Sequence, residues 1–237
     1  MIVAAAFVPS APILIPEVAS GAAEELNDVR AKAIASIQRA AASADHVAIV
    51  GAGSRTRLFE NGVGTFAGFG VPLTVTIDPN ARAHAGEQVD EIGVAASIGV
   101  WLLDQTQWSG ARSVVEIGPD ESQTRLAELA IELAESASSV ALVIVADGSA
   151  ARTEKAPGYL HPDATHFDVL IEQALASGRA QALADLDRAQ AQAVMAAGWP
   201  AWQVAALAMQ GREIEASCDV ADAPFGVGYF VASWVCS

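Results

Sequence analysis

The sequence is short of cysteine, histidine and lysine, and each shortage closes a class of function. Two cysteines, Cys218 and Cys236, stand in 237 residues. They are too few for a disulfide framework and lack the paired spacing of a zinc knuckle, so they read as free thiols in a reducing compartment. The four histidines are His46, His84, His161 and His166, and none follows directly on an apolar strand-like run. Basic residues number 13 against 28 acidic ones, a net charge of −15, and only Lys32 and Lys155 are lysines. A surface so poor in cations cannot neutralise phosphates, which argues against nucleic acid or an anionic membrane as partner. Long hydrophobic runs are also missing: Pro, Gly or charge interrupts each one before the ~20 residues that span a bilayer. Residues 1–8 carry no basic n-region, so no secretory signal is expected, and the expected location is the cytoplasm. No Gly-x-Ser-x-Gly elbow, P-loop, His-Glu-x-x-His or Cys-x-x-Cys occurs.

What is present is a large apolar fraction, 52%, in short segments. A chain of this length buries roughly 70% of its unfolded surface. Ile2 to Val8, Asp45 to Val50, Arg112 to Ile117 and Ser139 to Ala146 read as buried strands, the last and most hydrophobic at the sheet centre. Val71 to Ile77 reads as a strand at an edge, because Pro72 sits at its start. Helices are expected from Ser20 as cap to about Ala42, from Asp90 to Asp104, and from Glu121 to Ser136. Three more follow: from Asp163 or Thr165 as cap to Ala176, from Gly178 to Met195, and from Trp199 to Met209. The prolines at 9, 12 and 16 predict an extended loop, and the glycines at 62, 64, 68 and 70 a long surface loop over 55–70. Arg212 to Val220 and Gly228 to Val235 read as a closing hairpin. Strands alternating with helices, plus that hairpin, give an α/β fold: one domain over 1–237, a mixed sheet with helices on both faces.

Candidate chemistry gathers at strand ends. Asp147 ends the most apolar strand, so its carboxyl must be paired, hydrogen-bonded, functional, or a cap on its own Asp147-Gly148-Ser149 turn. Arg152 and Lys155 could neutralise it or hold an anionic substrate. His161, with His166, Asp163 and Asp168 nearby, forms the densest cluster of ligand-type residues, though His166 and Asp168 cannot share a helix face. Asp163 and Thr165 are equally competent caps. His46 and His84 read as solvated. Gly51-Ala52-Gly53 begins like a dinucleotide fingerprint, but the third glycine is replaced by Thr56. Trp101, Trp108, Trp199, Trp202 and Trp234 lack interleaved basic residues, so they read as packing in a core or an interface.

Four segments together resemble the class III extradiol dioxygenase catalytic subunit, a LigB-like fold shared with Memo-type proteins. They are Phe7-Val8-Pro9-Ser10-Ala11-Pro12-Ile13-Leu14-Ile15-Pro16-Glu17; the run from Ala44 to Gly51; Ala146-Asp147-Gly148-Ser149-Ala150 with Ala156-Pro157-Gly158-Tyr159 and His166-Phe167-Asp168; and the run from Ala223 to Tyr229. The resemblance implies a LigB-like sheet and, in active members, a ferrous ion that opens catechol-type rings with O₂. It also places the family's two metal histidines at Ser10 and in the Gly51-Ala52-Gly53-Ser54 turn, and its acid/base histidine at Ala150. Serine, glycine and alanine cannot supply those imidazoles. No bound iron or other cofactor is therefore expected. The leading reading is a homologue without dioxygenase activity that binds a small molecule in the ancestral pocket, lined by Ser10, Pro12, Gly51, Ser54 and Arg152. Two others stay open. One is an enzyme with a relocated site at Asp147, Ser149 and His161. The other is an interaction or scaffold subunit with a tryptophan-rich surface, in a homo-oligomer or beside a partner subunit.

Overall fold

Short apolar runs become strands because their residues bury on alternate sides. The computed structural model describes residues 1–78 and 90–237. The chain runs β1 (Ile2–Val8), a 3-10 turn Pro12–Leu14, α1 (Pro16–Ala19), a 3-10 stretch Ser20–Leu26, α2 (Asn27–Ala41), β2 (His46–Ala52), β3 (Arg57–Phe59), β4 (Val63–Thr65) and a 3-10 turn Ala67–Phe69. Then come β5 (Thr74–Thr76), β6 (Glu91–Ile92), α3 (Val94–Asp104), β7 (Ala111–Ile117), α4 (Gln123–Glu135) and β8 (Val140–Val145). It closes with α5 (Ala164–Ser177), α6 (Ala180–Ala184), α7 (Arg188–Ala193), α8 (Trp199–Met209), β9 (Ile214–Asp222) and β10 (Tyr229–Cys236).

A seven-stranded sheet has the order β3-β7-β2-β8-β1-β10-β9. Its β7, β2, β8 and β1 are mutually parallel; β3 joins β7, and the β9–β10 hairpin joins β1, antiparallel. β8 is the central strand, as its composition predicts, and all of its residues are buried. The first and last strands are neighbours, so the described residues form one α/β domain. A small sheet, β5-β4-β6, packs on α3.

The two faces follow from period-two alternation. Ala4, Ala6 and Val8 of β1 and Ala141, Val143 and Val145 of β8 lie in the core with Ala33 and Ile37 of α2 and Ile98 and Leu102 of α3. Phe7, Leu142 and Ile144 face the other core, with Leu126 and Leu129 of α4, Phe167 of α5 and Trp202 of α8. The connections β1–α2–β2 and β2–α3–β7 both step towards the β7 edge, and β7–α4–β8 steps back. Right-handed crossovers then put α2 and α3 on one face and α4 on the other. The chain leaves the C-terminal ends of β2 and β8 in opposite directions, the place where open parallel sheets bind ligands.

Several expectations are corrected. Pro12 and Pro16 start a 3-10 turn and α1, because proline's fixed φ suits a first helical position. Ser20 is no cap: it has φ 49°, and the α-helix starts only at Asn27. The 55–70 stretch is not one long loop but holds β3, β4 and a 3-10 turn, and Gly62 and Gly64 admit close packing on Ile92 and Ser97. The single helix expected over 178–195 is split into α6 and α7, with Asp187 capping α7 through Gln190 N at 2.8 Å. Trp101, Trp199, Trp202 and Trp234 are buried, which removes the tryptophan-rich surface. No described helix is long and apolar enough to cross a membrane. Among the described residues both cysteines are free. His84 lies outside the described residues.

Candidate functional site

β1 and β8 run side by side in register up to Val8 and Val145, so the residues just beyond them meet. Ser10 donates its backbone N–H to Asp147 Oδ1 and its hydroxyl to Oδ2, each at 2.8 Å. Asp147 is therefore tied to a residue distant in sequence, and its turn is not capped by its own side chain. The carboxyl is partly buried. Lost hydration pushes its pKa up to about 6, and the two Ser10 bonds offset only part of that rise. Buried Tyr229, at the start of β10, has its phenol pKa raised as well, chiefly by burial and secondarily by the Asp147 charge.

Ser149 and Arg152 serve a different carboxylate. Asp168, on α5 and 3% exposed, accepts Ser149 N at 2.7 Å, Ser149 Oγ at 2.8 Å and Arg152 Nη1 at 2.8 Å. A Cβ on Gly148 or Gly228 would stand 2.6 Å from its oxygens, so only glycine fits at either place. Arg152 thus neutralises Asp168 rather than Asp147, and exposed Lys155 has no bond to either. The sequence offered Asp168 only as one acid in a cluster; its role depends on α5 crossing the turn after β8.

His161 stands apart. Its Nδ1 accepts Asp163 N at 3.3 Å and lies 3.9 Å from the Asp163 carboxylate, and its backbone N–H bonds Ala151 O. No hydrogen bond joins it to Asp147 among the described residues. Asp163 occupies the N-cap position of α5 without a side-chain capping bond, which corrects the capping expectation; His166 is exposed. His46 is half-buried rather than solvated, with Nε2 2.8 Å from Ser113 Oγ. Pro12 is half-buried in its 3-10 turn. Gly51 is buried in β2, where a Cβ would come within 3.0 Å of Ala95 Cβ; it lets α3 approach, and it is not among the residues that line the cleft at the end of β2.

Ser54 is exposed and lines an open cleft of about 610 Å³ at the ends of β2 and β7, with Gly53, Arg57, Glu91, Gly93, Val94 and Glu116. Glu116, 2% exposed within β7, accepts Gly93 N with Oε1, and its Oε2 lies 3.5 Å from Arg57 Nη2. Neither residue stood out in the sequence. The signal was a single acid inside the apolar run Ser113-Val114-Val115-Glu116-Ile117.

Ferrous iron does not fit these strand ends. The Ser10 hydroxyl is committed to Asp147, Gly53 has no side chain, and Ala150 ends in a methyl group, which leaves one carboxyl where an imidazole set is required. Among the described residues no group of three or more His, Cys, Asp or Glu is placed to hold a metal ion.

No protein-family model and no curated protein matches the chain. Among solved structures it is similar to the crystal structure of an uncharacterized protein from Escherichia coli K12, at 11% identity. The match covers 98% of this chain and 99% of that one with a TM-score of 0.44. That likeness assigns neither a family nor an activity.

Proposed function

We propose that this chain is a homologue of the class III extradiol dioxygenase catalytic subunit that has left iron chemistry, and that it binds a small molecule at the C-terminal edge of the sheet beside Ser10 and Asp147. The observation that carries the reading is the Ser10–Asp147 pair. The resemblance puts a metal histidine at Ser10, and here that residue is a serine spending both of its donors on a carboxyl. A carboxyl titrating near pH 6 can accept or donate a hydrogen bond to a polar ligand at neutral pH. The same property favours a second reading, a relocated enzyme with Asp147 as general acid or base. His161 takes no part in that version, because it bonds to its own loop.

The test is a metal and small-molecule inventory. Protein purified anaerobically is assayed for iron, supplied with ferrous ion, and followed for O₂ uptake with catechol. Native mass spectrometry then compares the wild type with Ser10→Ala and Asp147→Ala. The expected result is no stoichiometric iron, no ring opening, and a bound small molecule that both variants lose. One iron per chain with catechol cleavage overturns the reading. A bound molecule that survives both substitutions overturns the placement of the site.

A further inference from the structure

We propose that the ligand of the Ser10–Asp147 site is a small primary ammonium compound with a neighbouring oxygen acceptor, and that Tyr229 is the residue that recognises this oxygen. The inference rests on the binding reading above and goes further by naming the chemistry of the ligand. Topology brings the residues together. β1 lies between β8 and β10 but ends at Val8, and beyond it the start of β10 bonds directly to the turn after β8. Gly148 N donates to Gly228 O at 2.7 Å, and Gly228 N donates to Ser149 O at 2.8 Å. Asp147 precedes Gly148 and Tyr229 follows Gly228, so the two residues flank one short backbone bridge. Val8, Val145 and Val231 lie in the core shared with α2 and α3. Two residues after Val8 and Val145, and two before Val231, period-two alternation puts Ser10, Asp147 and Tyr229 on that same face, and Tyr229 does lie in that core.

Charge decides the class of ligand. Among the described residues Asp147 is bonded by Ser10 N and Ser10 Oγ, and no Lys, Arg or His pairs with it. Arg152, the cation nearest to it in sequence, is held by Asp168. With a pKa of about 6 the carboxyl is mostly ionised at neutral pH, and a partly buried carboxylate without a counter-charge is costly. A bound ammonium supplies the missing partner, whereas an anion adds a second negative charge. Each carboxylate oxygen takes one bond from Ser10 and has a lone pair to spare, and neither Ser10 nor Asp147 is closed to solvent. Tyr229 is an independent sign of a ligand. It is 3% exposed, yet its hydroxyl has no hydrogen-bond partner among the described residues and is not sealed inside the core. Burial and, secondarily, the Asp147 charge raise its pKa, so the phenol keeps its proton and acts as a donor. A carboxylate that lacks a cation beside a phenol that lacks an acceptor selects an ammonium group next to a hydroxyl or ether oxygen. A neutral diol satisfies the phenol and leaves the charge unmatched; a hydroxy acid satisfies the phenol and is repelled by the carboxylate.

The experiment titrates the isotope-labelled full chain at neutral pH with ethanolamine, propylamine, ethylene glycol and glycolate, reading amide shifts of Ser10, Gly148 and Tyr229. Saturable shifts are expected for both amines, with ethanolamine the tighter by several-fold, and weaker or no binding for the glycol and glycolate. Asp147→Asn removes the charge and keeps both Ser10 bonds; it should weaken both amines at least about tenfold, the loss of a charge-assisted pair. Tyr229→Phe keeps the buried ring and should bring ethanolamine down to the affinity of propylamine, with propylamine itself unchanged. It also keeps the falsifying power should Asp147→Asn unfold. No saturable shift with either amine, glycol or glycolate binding as tightly as ethanolamine, undiminished amine binding in Asp147→Asn, or a surviving preference for ethanolamine in Tyr229→Phe overturns the proposal. The binding reading is decided separately, by the native molecule and its loss in Ser10→Ala and Asp147→Ala. A neutral or anionic native molecule lost in both variants upholds that site and overturns the ammonium.

Discussion

Asp147 and Asp168 belong to one corner of the molecule, yet their surroundings differ. Asp168 faces a guanidinium, a hydroxyl and a backbone N–H. Among the described residues Asp147 has the two donors of Ser10, both from a neutral residue, so burial governs it. A carboxyl with a pKa of about 6 when folded and in the ordinary range near 4 when unfolded keeps its proton longer in the folded chain. Its contribution is neutral below about pH 4, becomes destabilising as pH climbs to 6, and is constant above that. Asp147→Asn does not titrate, and its amide can still accept from Ser10 N and donate to the hydroxyl. The stability of the variant relative to the wild type should therefore rise by up to about 2 kcal/mol between pH 4 and pH 6 and then level off. Urea unfolding of both proteins across that range checks it, and parallel curves would show that the proton is not held there. The sequence marked Asp147 and Ser149 as a pair to watch. That they serve separate networks depends on Ser10 and Asp168, which only folding brings to them.

At the scale of elements, α3 shows how packing overrides propensity. Glycine inside a helix costs about 1 kcal/mol relative to alanine, so Gly99→Ala looks favourable on sequence grounds. Here a Cβ at residue 99 would stand 2.5 Å from Ile49 Cγ2 and 2.7 Å from Val145 Cγ2, on the two central strands beneath the helix. Both neighbours are fully buried and cannot retreat. Gly99→Ala should therefore destabilise the protein by roughly 1–3 kcal/mol through overpacking, measurable as a lower urea midpoint with unchanged slope. A raised midpoint would mean that the helix has room to lift. The same logic explains the misread 55–70 stretch: its glycines looked like loop punctuation, whereas Gly64 lies where a side chain would strike Ser97 of α3. β3 was illegible for another reason, since a three-residue strand has too few positions to display a period.

At the scale of the whole molecule, two cores share one sheet, and every strand from β7 to β1 has neighbours on both sides. Amide exchange should be slowest in β8, which is central and buried along its length, and fastest among strands of this sheet in β3 and β9 at its edges. Hydrogen-exchange mass spectrometry on the intact chain reads this order directly, and early exchange of β8 would contradict the sheet as drawn. The sequence by itself determined the strand and helix alternation, the central position of residues 139–146, the antiparallel closing hairpin and the need for a hydrogen-bond partner at the Asp147 carboxyl. These features rest on local period, proline and glycine placement and the cost of burying a carboxylate, all of which act within a few residues. Only the tertiary structure decided the partners: Ser10 with Asp147, Arg152 with Asp168, and Arg57 with Glu116 beneath two glycines. Those pairings join residues whose neighbours along the chain say nothing of one another, because strand order and crossover direction, rather than local preference, bring their side chains into reach.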